Sequence, residues 1–301
     1  MLRKPVLARC DDRNVLPRRN AKYGSPEGWF DHSTLSENGL IGHSFDFFVD
    51  WGSPSFDVNS NLWIKLLVDE PGELSDRDFS TKLVTFVGAD YLYRLLRFAD
   101  NFEFLVNYIV IPDSQDFSDK SAKIGIVSTR LENDEIRTSL ETVNIADFQA
   151  RITAFSGGPI SIGTKGLSYS TSNLECFLSG TSSLYPGDLD LLVCDEQNRP
   201  KLIFEFKKHN LSSDINLQQL KNYYPHPDRR KYDRIKLFQH RLGADIPIVI
   251  LYYPTHPTFT NGIVEVITGE VGNLKTRKRN QFPLANSATD LITRIIRYAN
   301  S

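Results

Sequence analysis

The chain has 301 residues, 40% of them hydrophobic and 24% charged, with 35 lysines and arginines against 37 aspartates and glutamates. That composition is ordinary for a globular protein and excludes a disordered, collagenous or repeat-dominated chain; at roughly 150 residues per domain the length suits two domains or one large one. The net charge of −2 conceals a split: residues 151–301 carry 19 basic and 13 acidic side chains, or +6, and residues 1–150 carry 16 and 24, or −8.

Such an asymmetry is a mark of a nucleic-acid- or membrane-facing half, although charges also simply solvate a surface. No run of eighteen apolar residues is present, so no spanning helix is expected. Met1 to Arg18 is charged throughout and has no apolar core of a secretory signal. Cys10, Cys176 and Cys194 are odd in number and far apart, with no Cys-x-x-Cys. A disulfide framework or cysteine-rich zinc site is therefore not expected, and a reducing compartment, cytoplasmic or nuclear, is. His32, His43, His209, His226, His240 and His256 form no His-x-x-x-His pair and read as scattered imidazoles.

In chain order, the first thirty residues are polar and hold Arg3, Lys4, Arg9, Arg13, Arg18 and Arg19, which predicts an extended arm. Phe45–Val49, Leu62–Val68 and Leu83–Val87 are short, aromatic or branched runs and predict strands. After Gly88, the spacing of Leu92, Leu95, Leu96 and Ala99 predicts an amphipathic helix over Ala89–Asp100. Phe104–Ile111 and Lys123–Val127 predict strands, and Glu132–Ala154 a helix broken near Asn144. No chemical constellation stands out in this half. Ser156-Gly157-Gly158-Pro159 is the expected linker, dividing the chain into residues 1–155, a mixed α/β domain, and 156–301. Gly158 to Lys165 approaches a phosphate-binding loop, but threonine precedes lysine where that loop needs the reverse, so it reads as a plain loop.

In the second half, Ser172-Asn173-Leu174-Glu175 has the spacing of a capping box opening a short helix stopped at Gly180. Leu189–Cys194 and Lys201–Phe206 predict a hairpin turned at Asp195–Pro200; Leu217–Tyr224 and Tyr232–Leu242 predict helices. Ile246–Tyr253 is almost continuously apolar, a strand buried on both faces. Ile263–Thr268 is a further strand and Ala288–Ala299 a closing amphipathic helix.

The hairpin carries the chemistry. Its apolar strands hold Asp188, Asp190, Glu205 and Lys207 where packing alone would use valine or leucine. Alternation puts Glu205 and Lys207 on one face, and Asp188 and Asp190 on one face. With the turn centred between Gln197 and Asn198, Asp190 faces Glu205 and Asp188 faces Lys207; a one-residue slip separates the acids. Opposed carboxylates with Cβ atoms roughly 5 Å apart repel unless a cation lies between them, and hard oxygen ligands suit Mg²⁺ or Mn²⁺.

These residues resemble the PD-(D/E)xK nuclease superfamily over about residues 165–270. The resemblance implies a restriction-endonuclease-like mixed sheet flanked by helices, with Mg²⁺ held by Asp190 and Glu205, a water-orienting Lys207, and Glu175 as a further acid from the upstream helix. Gln219-Leu-Lys-Asn-Tyr223 is similar to the Q-x-x-x-Y element of the RecB-like branch, which implies that Gln219 and Tyr223 face the substrate. The literal Pro-Asp pair is absent, leaving Asp188 as a rival for the motif role, and the Asp-x-Asp and Glu-x-Lys pattern also resembles the RNA 5′-end decapping branch. Glu175 has a second explanation as a capping residue. Lys221, Arg229, Arg230, Lys231, Arg234, Lys236 and Arg241 against Asp228 and Asp233 give a local +5, a surface suited to neutralising phosphates. Lys275, Arg277, Lys278 and Arg279 form a second basic cluster. The expectation is a metal-dependent endo- or exonuclease, acting on DNA in preference to RNA, with the acidic half left for recognition, a protein partner or a homodimer contact. The alternatives are a non-catalytic nucleic-acid-binding module and a small-molecule phosphohydrolase.

Overall fold

The computed structural model describes residues 1–17, 23–76, 78–162, 166–243, 245–256, 258–284 and 288–301. In chain order its elements are β1 (Ala8–Arg9), α1 (Pro26–Trp29), α2 (His32–Glu37), β2 (Leu40–Val49), β3 (Val58–Val68), α3 (Phe79–Val87), α4 (Ala89–Asn101), β4 (Leu105–Pro112), β5 (Lys123–Glu132), β6 (Glu135–Asn144), α5 (Ile145–Phe155), β7 (Tyr169–Ser170), α6 (Asn173–Ser179), β8 (Gly187–Asp195), β9 (Pro200–His209), α7 (Arg229–Arg241), β10 (Ile248–Pro254), β11 (Asn261–Glu270), β12 (Asn273–Pro283) and α8 (Ala288–Asn300). The chain is mixed α/β, with mixed sheets flanked by helices, as expected. Among the described residues no helix is long and apolar enough to cross a membrane. Arg18, Arg19 and Gly163–Lys165 lie outside the described residues.

Four local expectations are corrected. Leu83–Val87 ends a helix, because Phe79 and Leu83, four apart, bury the same face of α3. Glu135–Asn144 is a strand, its side chains alternating between exposed and half-buried over most of its length. Asn133 and Asp134, at φ +52° and +62°, make the two-residue turn that pairs it with β5. The break at Asn144 is real: its side chain accepts from Asp147 N at 2.9 Å and caps α5. Leu217–Tyr224 is two short 3-10 turns, Ile215–Leu217 and Leu220–Asn222, rather than a helix. Finally, the second basic cluster, Lys275 to Arg279, lies on a strand, β12, paired antiparallel with β11.

The chain forms two compact units that do not follow the 155/156 boundary. Unit 1 is Met1–Pro17 with Phe45–Asp188; unit 2 is Arg18–Ser44 with Leu189–Ser301. In unit 1, β2 and β3 pair antiparallel, β3 and β4 parallel, and β4–β5 and β5–β6 antiparallel. Unit 2 repeats the sequence of senses: β8–β9 antiparallel, β9–β10 parallel, then β10–β11 and β11–β12 antiparallel. In each, a helical connection (α3 and α4, or α7) joins the parallel pair and a helix (α5 or α8) follows the last strand. The helix preceding each hairpin belongs to the other unit's core: α6 gives Leu174 and Leu178 to the core of unit 1, and α1–α2 give Trp29 and Leu35 to that of unit 2. The chain therefore contains a topological repeat that its composition did not disclose.

Cys10 and Cys176, 166 positions apart in sequence, are joined in a disulfide within unit 1, with Cα atoms 5.4 Å apart. A disulfide was not expected from the sequence, and its presence removes the basis for assigning a reducing compartment. Only Cys194 is free, buried in β8. The bond ties the N-terminal arm, which also pairs through β1 and β7, to α6. Reducing it, or Cys10→Ser, is expected to lower stability by about 2–4 kcal/mol. Urea denaturation with and without reductant measures this, and an unchanged midpoint would show that the pair is not joined in solution.

Candidate active site

In unit 2, β8 and β9 pair as Leu191↔Phe204, Leu192↔Ile203 and Val193↔Leu202. This is the expected register, and one step further along it Asp190 faces Glu205. The Phe206 backbone N–H donates to Asp190 Oδ2 at 2.6 Å, which fixes that carboxylate against β9. Leu191, Val193, Leu202 and Phe204 pack on the face of the sheet that carries α8. Alternation turns Asp190, Glu205 and Lys207 to the opposite face, toward α7.

Glu205 is 0% exposed, and neither of its oxygens accepts a hydrogen bond. Two ammonium groups meet Oε1: Lys231 Nζ of α7 at 2.8 Å and Lys207 Nζ at 3.3 Å. Oε2 has no such neighbour among the described residues. Lys231 also reaches Asp190 Oδ1 at 3.9 Å. Lys207 is anchored by Asp228 Oδ2 at 2.9 Å, just before α7. Among the described contacts, the carboxylates of Asp190, Glu205 and Asp228 meet the ammoniums of Lys207 and Lys231.

Aromatic rings hold Lys207 in place. Its Nζ lies 4.7 Å from the Tyr223 ring centroid and 5.5 Å from that of Tyr232. The Tyr232 hydroxyl is buried and without a hydrogen bond; burial, then the Glu205 charge, hold it far above the usual phenol range. Tyr223 stacks on Tyr252 and donates to Gln218 Oε1 at 2.7 Å. Tyr252 donates at 2.8 Å to Glu265, a fully buried acid of β11 that also accepts from Leu220 N at 2.7 Å. Glu265 thereby fixes the loop that carries Tyr223. Sequence reasoning missed it, and also Asp228; the signal for Glu265 was an acid within the apolar run Ile263–Thr268.

The expected site residues divide. Asp190, Glu205, Lys207 and Tyr223 come together in unit 2. Glu175 belongs to unit 1, where Lys65, Thr171 and Ser172 take its carboxylate. Gln219 precedes the 3-10 turn Leu220–Asn222 instead of lying on the expected helix, and Gln218 accepts from the Tyr223 hydroxyl. Asp188 falls in unit 1, where its charge acts on Asp46 and Lys65. Among the basic residues, Lys221, Arg230 and Arg241 of the first cluster and Lys275 and Arg277 of the second are exposed. Arg229 pairs with Asp233, Lys236 with Gln239, and Lys231 with Glu205, while Arg234 is half-buried.

Unit 1 has its own buried cluster, contrary to the expectation that this half is chemically plain. Lys65 Nζ lies 3.2 Å from Asp46 Oδ2, 2.9 Å from Glu175 Oε1 and 4.8 Å from the Tyr185 ring centroid. Burial pushes the Asp46 carboxyl up to about 7 against the pull of Lys65, with Glu175 and Asp188 pushing the same way as burial. Burial alone would lower Lys65, but Asp46 and Glu175 outweigh it and hold the ammonium above the usual lysine range. Phe48 and Trp63, on the strand face of Asp46 and Lys65, pack with Phe155 and Phe148 of α5 and with Leu174 of α6. This cluster therefore lies on the face covered by α5 and α6, whereas the unit 2 cluster faces its connecting helix α7. The two are not copies of one another, although the units share a topology.

Comparison with protein-family models, with curated proteins and with solved structures finds no match for this chain.

Proposed function

We propose that unit 2 is a metal-dependent nuclease centre that hydrolyses phosphodiester bonds of nucleic acid, with DNA the first substrate to test. The observation that carries this reading is Glu205: a carboxylate wholly out of water, with Oε2 unsatisfied, opposite Asp190 and two residues before Lys207 on one face. Burying a charge without full compensation is costly, and an arrangement of this kind suits a site completed by a ligand. Two carboxylates fit Mg²⁺, which keeps several of its waters and takes few protein oxygens. Bound there, Mg²⁺ would polarise the phosphate and lower the pKa of its water.

Asp190 and Glu205 are the ion's holders in this reading. Lys207, braced by Asp228 and the Tyr223 ring, orients the attacking water. Exposed Lys221, Arg230, Lys275 and Arg277 suit a polynucleotide better than a small phosphoester. Unit 2's hairpin, connecting helix and parallel β10 support the restriction-endonuclease-like core that the resemblance implies. Glu175 and Gln219 have no part in it.

A second reading, a nucleic-acid-binding module without catalysis, is favoured by one fact. Lys207 and Lys231 already offset the acids. A cleavage assay with Mg²⁺ or Mn²⁺ on single- and double-stranded DNA and RNA, comparing wild type with Lys207→Ala, decides between them. Cleavage lost in the variant is expected. Binding without cleavage by wild type would favour the module.

A further inference from the structure

We infer that Lys231 is a built-in stand-in for the divalent cation: it occupies the place between Asp190 and Glu205 in the metal-free protein, yields it on metal binding, and then faces a substrate phosphate. The inference rests on the metal-dependent reading of unit 2 and adds to it a positioning residue on α7.

Geometry carries the inference. Lys231 Nζ is 2.8 Å from Glu205 Oε1 and 3.9 Å from Asp190 Oδ1, and so spans the two carboxylates. Two carboxylates facing each other away from water repel, so a cation between them stabilises the metal-free fold. Lys207 does not fill that place, because it is divided between Glu205 and Asp228. A divalent ion and an ammonium cannot share the space. An ion in the place of Lys231 would offset the carboxylate charge that Lys231 meets, and the displaced ammonium could then face a phosphodiester. Lys231 is suited to moving: its side chain is 25% exposed, against 16% for Lys207, and it rises from the first turn of α7. Neighbouring Arg230 is exposed, so a phosphate drawn to Lys231 would meet a second cation.

The test is Mn²⁺ binding by calorimetry on the full chain, without substrate. Lys231→Met is expected to bind Mn²⁺ about tenfold more tightly than wild type, equivalent to ~1.4 kcal/mol, because no ammonium competes. Lys201→Met removes a charge from Asp195, elsewhere in unit 2, and controls for the general loss of positive charge; its affinity is expected to be unchanged. Despite tighter metal binding, Lys231→Met is expected to cleave more slowly at saturating Mn²⁺, with a raised KM for polynucleotide. A merely structural role would not move metal affinity and KM in these opposite senses. Mn²⁺ binding by Lys231→Met that is equal to or weaker than that of wild type overturns the inference and leaves the nuclease reading standing. No Mn²⁺ uptake by wild type overturns both.

Discussion

Glu205→Gln is expected to abolish measurable Mn²⁺ binding and to reduce cleavage by about 10²–10³-fold, the range that follows loss of one charge-stabilising group from an active centre. The amide is nearly isosteric, so the packing of β9 between β8 and β10 is kept. Its chemistry is different: one oxygen becomes an N–H donor that cannot ligate an ion, and the formal charge at a 0% exposed position is lost. Lys207 retains Asp228 as a partner at 2.9 Å, and Lys231 retains Asp190 at 3.9 Å. The far-UV circular dichroism spectrum should therefore match wild type while metal calorimetry falls to baseline. A variant that binds Mn²⁺ as wild type does would move the metal site away from Glu205.

Lys65→Met is expected to be the most destabilising single change in unit 1, costing about 3–5 kcal/mol near pH 8, because it removes the ammonium from two buried carboxylates. Lys65 is 13% exposed and its partners Asp46 and Glu175 are 5% and 12% exposed, so solvent screens the pairs weakly. The deficit depends on pH with a definite sign. Asp46 in the folded chain titrates at about 7, above its ordinary 3.8, so the folded state holds this proton more tightly than the unfolded state. That preference favours folding fully below about pH 4 and is lost as pH rises through 7. Without Lys65, Asp46 takes its proton at still higher pH, so by pH 5 one of the two opposed charges is gone and the deficit shrinks. Urea denaturation of both proteins at pH 8 and pH 5 measures the difference. An equal deficit at both values would contradict the assignment of the proton to Asp46.

How far the sequence could be read depended on whether a residue's neighbours were local. The β8–β9 register was legible, because Asp195–Pro200 concentrates turn residues between two apolar runs and alternation does the rest. The long helices α4, α7 and α8 were legible from their apolar spacing. Leu217–Tyr224 was not, since its conformation is set by distant contacts: Glu265 of β11 accepts from Leu220 N, and Arg279 of β12 donates to Gln218 O. Glu175 was misassigned for a related reason, for the capping pattern correctly opens α6 but says nothing of which core receives Leu174 and Leu178. Asp46 and Lys65 carried the signal that identified Asp190 and Glu205, a charge inside an apolar strand. Each stands alone in its run, and only the pairing of β2 with β3 brings them together. The shared topology of the units leaves no trace in motifs, because a strand's pairing sense needs only apolar alternation and a turn.

The proposed nuclease chemistry requires Asp190 and Glu205 to share one ion. Crystals of the protein soaked in Mn²⁺, with anomalous scattering recorded at the manganese edge, test this most directly. The predicted result is a single strong peak in unit 2 within coordination distance of Asp190 Oδ1 and Glu205 Oε2, with Lys231 moved away from Glu205. No peak there, with Lys231 still in place at Mn²⁺ concentrations that support cleavage, would contradict it.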